Sequence, residues 1–520
     1  MANKMLFQTI FGGLIPATDA INSEGAPAYA LSPKHALAQY AATGCFNRTF
    51  YAAADEQLQR VLELCDAVGP EFVAQVAVYT RRNAYMKDMP ALLCAWLAAR
   101  SPRSDQAKMH EKVFAQVIDN TKMLRTYVQI LRSGVVGRKS LGTAPKRLVR
   151  QWLAERDEES LFRSSVGRDP SFADILKIVH PKPAGGRREA FYGYMLGRLY
   201  DAAQLPQLVA QYERFKSGET VGVPDVPFMM LSALPLSRAQ WAVIAARASW
   251  QTTRMNLNTF ARHGVFEQRG MAEIVAARLR DANEIARARV FPYQLLAAYA
   301  NCDPQVPRTV RDALQNAMEL ALANVPVIEG TVFVCADVSG SMKSPVTGHR
   351  QGATTAVQCI DVAALVAASI LRKNPSAEVL PFEQDVVRLD LNPRDSILSN
   401  TQRLASVGGG GTNCSAPVKL LNHRGAKGDL IVFVSDNQSW VDSGSGRGTE
   451  LMYAWQQFRQ RNPQAKLVCL DIQPNRTTQA KEREDILNIG GFSDQVFEVI
   501  SAFASGELNG DHWIRQIQAV

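Results

Sequence analysis

The chain has 520 residues, of which 47% are hydrophobic and 21% charged, the composition of a globular protein long enough for several domains. No apolar run approaches the length of about 18 residues that a membrane-spanning helix needs, so we expect no such helix. The formal net charge of +9 is unevenly distributed: residues 1–330 contain 40 basic and 30 acidic residues, whereas residues 331–520 contain 18 and 19. Residues 101–150 alone contain 11 basic and 3 acidic residues. This asymmetry predicts a partner with repeating negative charge, nucleic acid first and an anionic membrane surface second.

Residues 56–324 show the hydrophobic periodicity of helices almost throughout. For example, the steps between Leu58, Val61, Leu62, Cys65 and Val68 place all five side chains on one helix face. Proline opens a new apolar-periodic segment at Pro70, Pro90, Pro145, Pro170, Pro227, Pro292 and Pro307. Many short helices in series predict a solenoid of HEAT-like α-helical repeats, with an irregular helical domain as the alternative.

Near residue 330 the pattern changes to short β-branched runs that alternate with helical segments. The predicted strands are 331–337, 377–382, 429–436, 465–471 and 495–499, and the predicted helices are about 355–372, 394–406, 449–460 and 483–489. Such alternation predicts a doubly wound α/β fold with a mostly parallel sheet and a site at the carboxyl ends of its strands. We therefore predict a helical domain over residues 1–327 and an α/β domain over residues 328–520.

Five oxygen-bearing side chains follow the predicted strands and form a candidate metal site. Asp337, Ser339 and Ser341 alternate after the first strand, Thr412 follows four glycines, and Asp436 ends the run LIVFVSD. Alternate residues of an extended segment point the same way, so these oxygens can converge on a hard cation, most simply Mg²⁺. Two alternatives stay open: these residues only cap loops, or the domain has such a site and does not use it.

This pattern resembles the metal-ion-dependent adhesion site of von Willebrand factor A domains, which has DxSxS followed by a distant Thr and a distant Asp. The resemblance implies that Ser339, Ser341 and Thr412 bind the cation directly. It further implies that Asp337 and Asp436 act mainly through water, and that an open coordination position takes a carboxylate from a partner protein.

Hydrolytic motifs are missing from the sequence. There is no GxSxG, no GxxxxGK[ST], no HExxH and no dense carboxylate cluster, and we interpret His349 and His423 as surface-loop residues. We therefore predict that the protein is not an enzyme, although metal-dependent phosphoester hydrolysis remains a third possibility. The eight cysteines include no CxxC pair, which argues against structural zinc and favours a cytoplasmic location.

The basic excess is concentrated in and just after residues 101–150. On the segment APKRLVRQWL, Lys146 and Arg150 share a helix face opposite Leu148 and Trp152, where they can face a phosphate backbone. The segment DILKIVHPKP places His180 at a helix end, where it can stack on a base or bind a phosphate. The candidate RNA-binding residues are Arg138, Lys139, Lys146, Arg147, Arg150, Arg163, Arg168, Lys177, His180 and Lys182. For each residue taken singly, a solvated helix face is the alternative.

Longer motifs make the chain similar to the Ro autoantigen family, whose N-terminal part is the TROVE module. They are GRKSLGTAPKRLVRQWL, SFADILKIVHPKP, RMNLNTFARHGVF, ARVFPYQLLAAY, DVSGSM, GGTNCSAPV and AKLVCLDIQPN. The resemblance implies that the helical repeats close into a ring. Small structured Y RNAs would bind its basic outer surface, and single-stranded ends of misfolded non-coding RNAs would enter its hole. It also implies that Arg163, Arg168 and His180 lie at or near positions used for Y RNA.

From this resemblance we expect a monomeric bacterial RNA-binding protein for non-coding RNA quality control. Its A domain would recruit a protein such as an exoribonuclease, for example polynucleotide phosphorylase. The alternative function is a Mg²⁺-dependent protein-binding module whose helical region is only a scaffold.

Overall fold

The computed structural model describes residues 15–44, 47, 49, 51–100, 105–288, 292–321, 325–346, 357–442, 447–491, 495–507 and 512–520. His349 and the predicted helix start at 355–356 lie outside these ranges. The chain forms two compact units. The first contains the described residues of 1–86, 289–300 and 315–520, and the second contains those of 87–288 and 301–314.

The elements are numbered along the chain. The N-terminal part contains β1 (Ala20–Ile21), β2 (Pro27–Ala30), α1 (Pro33–Thr43), α2 (Ala54–Val68) and α3 (Pro70–Arg82). Fourteen helices of the second unit follow: α4 (Asp88–Arg100), α5 (Asp105–Val117), α6 (Thr121–Ser133), α7 (Thr143–Ala154), α8 (Glu158–Arg163), α9 (Phe172–Val179), α10 (Gly186–Leu196), α11 (Gln207–Lys216), α12 (Phe228–Leu231), α13 (Arg238–Arg247), α14 (Trp250–Met255), α15 (Leu257–Arg262), α16 (Met271–Leu279) and α17 (Ala282–Ala288). The remaining elements are α18 (Pro292–Ala300), α19 (Arg308–Ala321), β3 (Val332–Ala336), α20 (Cys359–Lys373), β4 (Glu378–Val379), α21 (Ile397–Ala405), α22 (Ala416–His423), β5 (Leu430–Ser435), α23 (Glu450–Arg461), β6 (Lys466–Asp471), β7 (Thr477–Thr478), β8 (Ile486–Gly490), α24 (Gln495–Ser505) and α25 (His512–Gln518).

Local signals account for many helix starts in the second unit. The Asn120 side chain accepts a hydrogen bond from the Met123 amide at the start of α6, and Ser171 and Asp174 form a reciprocal capping box on α9. The predicted helical region is thus confirmed, whereas its HEAT-like repeat character stays a prediction. Within the described part of the chain, no helix combines the length and apolarity needed to cross a membrane.

The first unit is built on a five-stranded sheet in the order β4-β3-β5-β6-β8, and every neighbouring pair is parallel. All residues of β3 and β5 are buried, as expected of strands covered on both faces. The strand order reverses at β3, between β4 and β5, and ligands of doubly wound sheets bind beyond the strand ends at such a reversal. The predicted fold, helices followed by a doubly wound parallel sheet, is confirmed.

Two assignments near the C-terminus were wrong. The run 495–499, predicted as a strand, is the start of α24, and the segment 483–489, predicted as a helix, contains β8. A five-residue apolar run has too few residues to distinguish a strand from one turn of a buried helix. The fifth strand lies where every residue from Ile486 to Gly490 can be buried beside β6.

The first unit includes the N-terminal helices, which the sequence grouped with the helical domain. Strand β2 pairs antiparallel with β7, and the Gln39 side chain on α1 donates a hydrogen bond of 2.7 Å to Asp471 at the end of β6. The Trp513 indole on α25 donates to the Tyr79 hydroxyl on α3. The boundary at 327 and 328 stays a prediction about domains, but the described residues before 87 pack with the α/β domain as one compact unit.

Candidate metal centre and nucleic-acid interface

Asp337 lies at the reversal point of the sheet, directly after β3, and is fully buried. One of its carboxylate oxygens accepts the Ser339 amide at 2.9 Å, and the other accepts the hydroxyl of Ser435. Burial raises the pKa of Asp337, while the hydrogen bonds from these two serines oppose that rise. Asp337 therefore fixes the turn that brings Ser339 and Ser341 to the sheet edge.

The glycine-rich loop carries Thr412 to the same edge. The Gly340 amide donates to the Gly410 carbonyl at 2.9 Å, which joins the loop to the DxSxS turn. Gly408 has φ +80°, and a Cβ there would lie 2.3 Å from the Val338 carbonyl oxygen, so only glycine fits. The Thr412 carbonyl accepts the amides of residues 440 and 441, which follow the β5 end. The loop thus brings Thr412 against the segment that follows Asp436.

Asp436 is 2% exposed, and its Oδ1 atom is buried without a hydrogen-bond partner among the described residues. Burial, and then the charge of Asp337, raise its pKa to about 7, while the nearby Ser341 hydroxyl opposes the rise. Two buried carboxylates this close are costly unless a cation or a proton compensates them. The arrangement therefore favours a cation between them.

The two serine hydroxyls show how a cation fits. The Ser339 and Ser341 hydroxyl oxygens lie 3.3 Å apart, and either hydroxyl can donate a hydrogen bond to the other. Because a hydroxyl can rotate and has two acceptor lone pairs, both Oγ atoms could instead direct a lone pair to one cation. Adjacent ligands of an octahedral Mg²⁺ at about 2.1 Å are separated by about 3.0 Å. These residues therefore fit Mg²⁺, which would supply a positive charge with a position open to a partner's carboxylate.

All five predicted metal-site residues are buried, and the hydrogen bonds described above connect the segments that carry them. No group of three or more His, Cys, Asp or Glu side chains suited to a metal occurs among the described residues, consistent with a site built mainly from hydroxyls. Sequence reasoning missed Ser435, whose hydroxyl donates to the Asp337 carboxylate. Its sequence signal is its position, since it is the last residue of β5 and directly precedes Asp436.

In the second unit, α7 presents the predicted basic stripe. Leu148 and Trp152 are buried, and the indole of Trp152 donates to the Ile118 carbonyl at 2.7 Å. Lys146 is half-buried and Arg150 is exposed on the opposite side. The Nε atom of Arg150 donates to the carbonyl of Val179, the last residue of α9, so the stripe continues to the carboxyl end of that helix.

Besides Arg150, three of the predicted RNA-binding arginines are already engaged by other residues. The Arg138 guanidinium donates to the carbonyls of Ala98 and Leu141 at 2.9 and 3.0 Å, so it holds the loop before α7. Arg147 forms an ion pair with Glu111. Arg163 binds the Asp225 carboxylate at 2.9 Å and its carbonyl at 3.0 Å. A phosphate would have to displace these partners, so we rank the three below the remaining candidates.

Three of the remaining candidates lie in and just after the last turn of α9. Lys177, His180 and Lys182 are all exposed, as are Lys139 and Arg168. His180 closes α9 in the left-handed conformation, with φ +49°, a conformation that non-glycine residues seldom adopt and that clusters at functional sites. The helix end thus projects an imidazole between two lysines.

Arg125 on α6 is a further cation that the sequence did not single out. Its Nε and Nη1 atoms are buried without a hydrogen-bond partner among the described residues, and burial lowers its pKa. The guanidinium lies under Gly167, where a Cβ would overlap it. A partly buried guanidinium in this state is suited to an anionic oxygen.

Comparisons with known proteins agree with these observations. The family described as the Ro60 vWA domain matches residues 331–504. "RNA-binding protein RO60" of Deinococcus radiodurans is 26% identical over 519 residues, which cover 94% of this chain and 95% of that protein. The protein of the same name from Caenorhabditis elegans is 23% identical over 258 residues, covering 47% of this chain and 38% of that protein.

The fold is also similar to a solved structure. The crystal structure of the Deinococcus radiodurans RO (RSR) protein matches with a TM-score of 0.60 and 24% identity, over 92% of this chain and all of that chain. The resemblance predicted from the sequence motifs is thus confirmed: the chain is similar to a Ro protein over most of its length, and residues 331–504 match the Ro60 vWA domain.

Proposed function

We propose that the protein binds RNA through the second unit, without catalysing a reaction. The observation that carries this proposal is the exposed cluster of Lys177, His180 and Lys182 at the carboxyl end of α9, joined to the Lys146–Arg150 stripe of α7. The relatives from two organisms are named as RNA-binding proteins rather than as enzymes, which supports the same assignment.

The binding would be mainly electrostatic. Lysines that replace condensed counterions along a phosphate backbone give affinity without sequence selectivity, and the exposed imidazole of His180 would stack on an unpaired base. We infer that the ligands are small structured non-coding RNAs, similar to Y RNAs, and single-stranded ends of misfolded RNAs. The protein would then act in cytoplasmic RNA quality control as a monomer.

The first test is whether the purified full chain carries RNA and binds it in a salt-dependent way. We expect a raised 260/280 nm absorbance ratio before nuclease treatment. Fluorescence anisotropy with a hairpin RNA of about 30 nucleotides and a 3′ tail should show affinity that falls steeply between 50 and 200 mM salt. An RNA-free preparation with no salt-dependent binding would contradict the proposal and leave a protein-binding scaffold as the better assignment.

A second function, Mg²⁺-dependent capture of a protein, is favoured by the buried and unpartnered Asp436 Oδ1. Ser339, Ser341 and Thr412 would hold the cation directly, and Asp337 and Asp436 would act through water. The open position would take a carboxylate from a partner, which we infer to be an exoribonuclease such as polynucleotide phosphorylase that acts on the bound RNA.

Mn²⁺ titration by calorimetry tests this second function. We expect Asp436→Asn to weaken Mn²⁺ binding at least about tenfold, because it removes a negative charge next to the cation. RNA affinity should stay unchanged, because the substituted residue lies in the other compact unit. Equal Mn²⁺ affinity in the variant would contradict the metal site. Mg²⁺-dependent RNA cleavage that is lost in Asp337→Ala would contradict the non-enzyme assignment.

A further inference from the structure

Trp440 differs from the other tryptophans of the chain in its exposure. The chain has seven tryptophans, and the other six are at most 4% exposed. Trp440, in the loop that follows β5, is 43% exposed, and the next residue, Val441, is 37% exposed. Tryptophan is among the residue types most enriched in the side chains that dominate binding energy at protein interfaces. An exposed tryptophan in a chain that buries all the others therefore marks a candidate contact surface.

The two exposed side chains pack on the glycine-rich loop of the metal site. A Cβ at Gly411 would lie 2.6 Å from the Trp440 ring and 2.7 Å from a methyl carbon of Val441, so only a glycine lets both side chains lie against the loop. Thr412, a predicted metal ligand, is the next residue of the loop. Its carbonyl accepts the amides of Trp440 and Val441 at 3.0 and 3.2 Å. The exposed apolar pair therefore borders the metal site.

Hydrogen bonds of Ser439 hold the backbone just before Trp440. The Ser439 hydroxyl donates to the Asp442 carboxylate at 2.7 Å and accepts the Cys414 amide at 2.9 Å. The Ser439 carbonyl accepts the Asn22 side chain at 2.6 Å, and both of these residues are buried. A partner would therefore meet the indole on a fixed loop, without the entropic cost of ordering that loop.

A lysine lies against the same glycine-rich loop. A Cβ at Gly409 would lie 2.8 Å from the Lys343 Nζ atom, so the ammonium group is close to the loop backbone. Lys343 is exposed and forms no salt bridge with any residue that the structure describes. The loop thus carries a positive charge at Gly409 and apolar side chains at Gly411, next to residues that fit a cation. This pattern is complementary to an acidic segment that also carries an apolar side chain.

The charges near Trp440 favour a protein over a nucleic acid as the partner. Residues 331–520 contain 18 basic and 19 acidic residues, so this part of the chain has no positive excess to attract a phosphate backbone. Asp442 follows Trp440 by two residues, and the Glu383 carboxylate accepts the Gly410 amide of the loop at 2.7 Å. A base stacked on the indole would bring phosphates toward these carboxylates, whereas a protein segment needs only one carboxylate at the cation.

We propose that Trp440 and Val441 form the apolar part of a docking surface for a partner protein, directly beside the metal site. The partner presents an aspartate or glutamate to the cation and a bulky apolar side chain to the indole, and Lys343 attracts further acidic residues of the same segment. This inference deepens the Mg²⁺-dependent capture of a protein proposed above and rests on it.

The probe for the test is a short peptide selected by the full chain. Random peptides displayed on phage are bound to the immobilised protein in the presence of Mg²⁺ and eluted with EDTA. We expect the eluted peptides to be enriched in an acidic residue next to a leucine, isoleucine, phenylalanine or tryptophan. One enriched peptide is then synthesised, and its affinity is measured by calorimetry.

Trp440 itself reports on the contact. Because the other six tryptophans are buried, the neutral quencher acrylamide acts mainly on the fluorescence of Trp440, and we expect saturating peptide with Mg²⁺ to reduce this quenching. Trp440→Ala should weaken peptide binding at least about tenfold, as for a central interface residue. Leu320→Ala is the matched control and should bind as wild type does, because it removes a large apolar side chain that is 38% exposed on α19 of the same compact unit.

The possible results separate this surface from the metal site. If the peptide binds wild type and Trp440→Ala equally and leaves acrylamide quenching unchanged, the docking surface is wrong and metal-dependent capture stands. If wild type binds Mn²⁺ but selects no acidic peptide, this inference fails while the metal site stands; if it binds no Mn²⁺, both fail.

Two further results also decide the matter. If a hairpin RNA, and no peptide, protects Trp440 from acrylamide, the surface is a base-stacking site and the protein partner is wrong. If Trp440→Ala does not fold, the wild-type quenching experiment remains, and unchanged quenching at saturating peptide would refute the role of Trp440.

Discussion

Neutralising Lys177 and Lys182 together should weaken RNA binding by the full chain. Both side chains are exposed, and neither forms a salt bridge with a described residue. The Asp174 carboxylate is near enough to Lys177 for the lysine charge to lower its pKa, but it does not pair with the lysine. Lys→Gln keeps the length and polarity of each side chain and removes only its charge. The variant Lys177→Gln/Lys182→Gln should therefore fold normally.

The expected magnitude follows from counterion release. Each lost phosphate contact lowers the slope of log affinity against log salt by about 0.9, so two contacts lower it by about 1.8. Extrapolated from about 1 M salt, this slope change corresponds to a roughly 30-fold loss of affinity at 0.15 M salt, or about 2 kcal/mol. Anisotropy titrations at several salt concentrations measure the slope and the loss in one experiment.

The matched control, Arg147→Gln/Arg163→Gln, removes the same amount of charge. These arginines are paired with Glu111 and Asp225, so we expect less than half of the slope change. The reasoning is refuted if the control weakens binding as much as the lysine variant does. In that case net charge, rather than the cluster at the end of α9, would determine affinity.

Two further predictions concern the sheet edge of the first unit. Burial raises the pKa of Asp471 to about 8, so folding favours its protonated form, and its contribution to stability is lost as pH rises from about 4 to 8. In the variant Asp471→Asn, the side-chain oxygen can still accept the hydrogen bond from Gln39. The gain in Tm of this variant over wild type should be larger at pH 8 than at pH 5. An equal gain at the two pH values would disprove the raised pKa of Asp471. Gly408→Ala should destabilise the protein by about 2 kcal/mol or more, because its Cβ meets the Val338 carbonyl oxygen in a left-handed conformation. Gly425→Ala is the control, because Gly425 also has a left-handed φ of +62°, but a Cβ there would meet no atom within 4 Å. This variant should be destabilised by only about 1 kcal/mol. Equal losses of Tm in the Gly408→Ala and Gly425→Ala variants would contradict the steric argument.

The metal residues could be chosen from sequence because each lies directly after a strand or a glycine loop. Strands β3 and β5 are continuous apolar runs, and parallel neighbours end at one sheet edge, which places Asp337 near Asp436 without knowledge of the fold's details. The same reasoning failed at residues 483–499, where two short apolar runs exchanged their expected roles. Their assignment depends on which run pairs with β6, and that is a tertiary property.

The candidate RNA-binding residues show a similar division. Composition located the basic region, and helical spacing placed Lys146 and Arg150 on one face. Helical spacing could not show that Arg163 forms an ion pair whereas Lys177 is exposed, because Asp225, the partner of Arg163, lies 62 residues further along the chain. Ion pairs of this kind form only when distant segments are packed together.

By itself, the sequence determined the two kinds of secondary structure, the position of the metal motif and the location of the excess charge. These are local properties, set by the spacing of apolar side chains and by residue type. The tertiary structure alone decided that the described residues among the first 86 pack with the A domain, and that Gln39 hydrogen-bonds to Asp471. This hydrogen bond joins residues 432 positions apart, and no periodicity in the chain records such a contact.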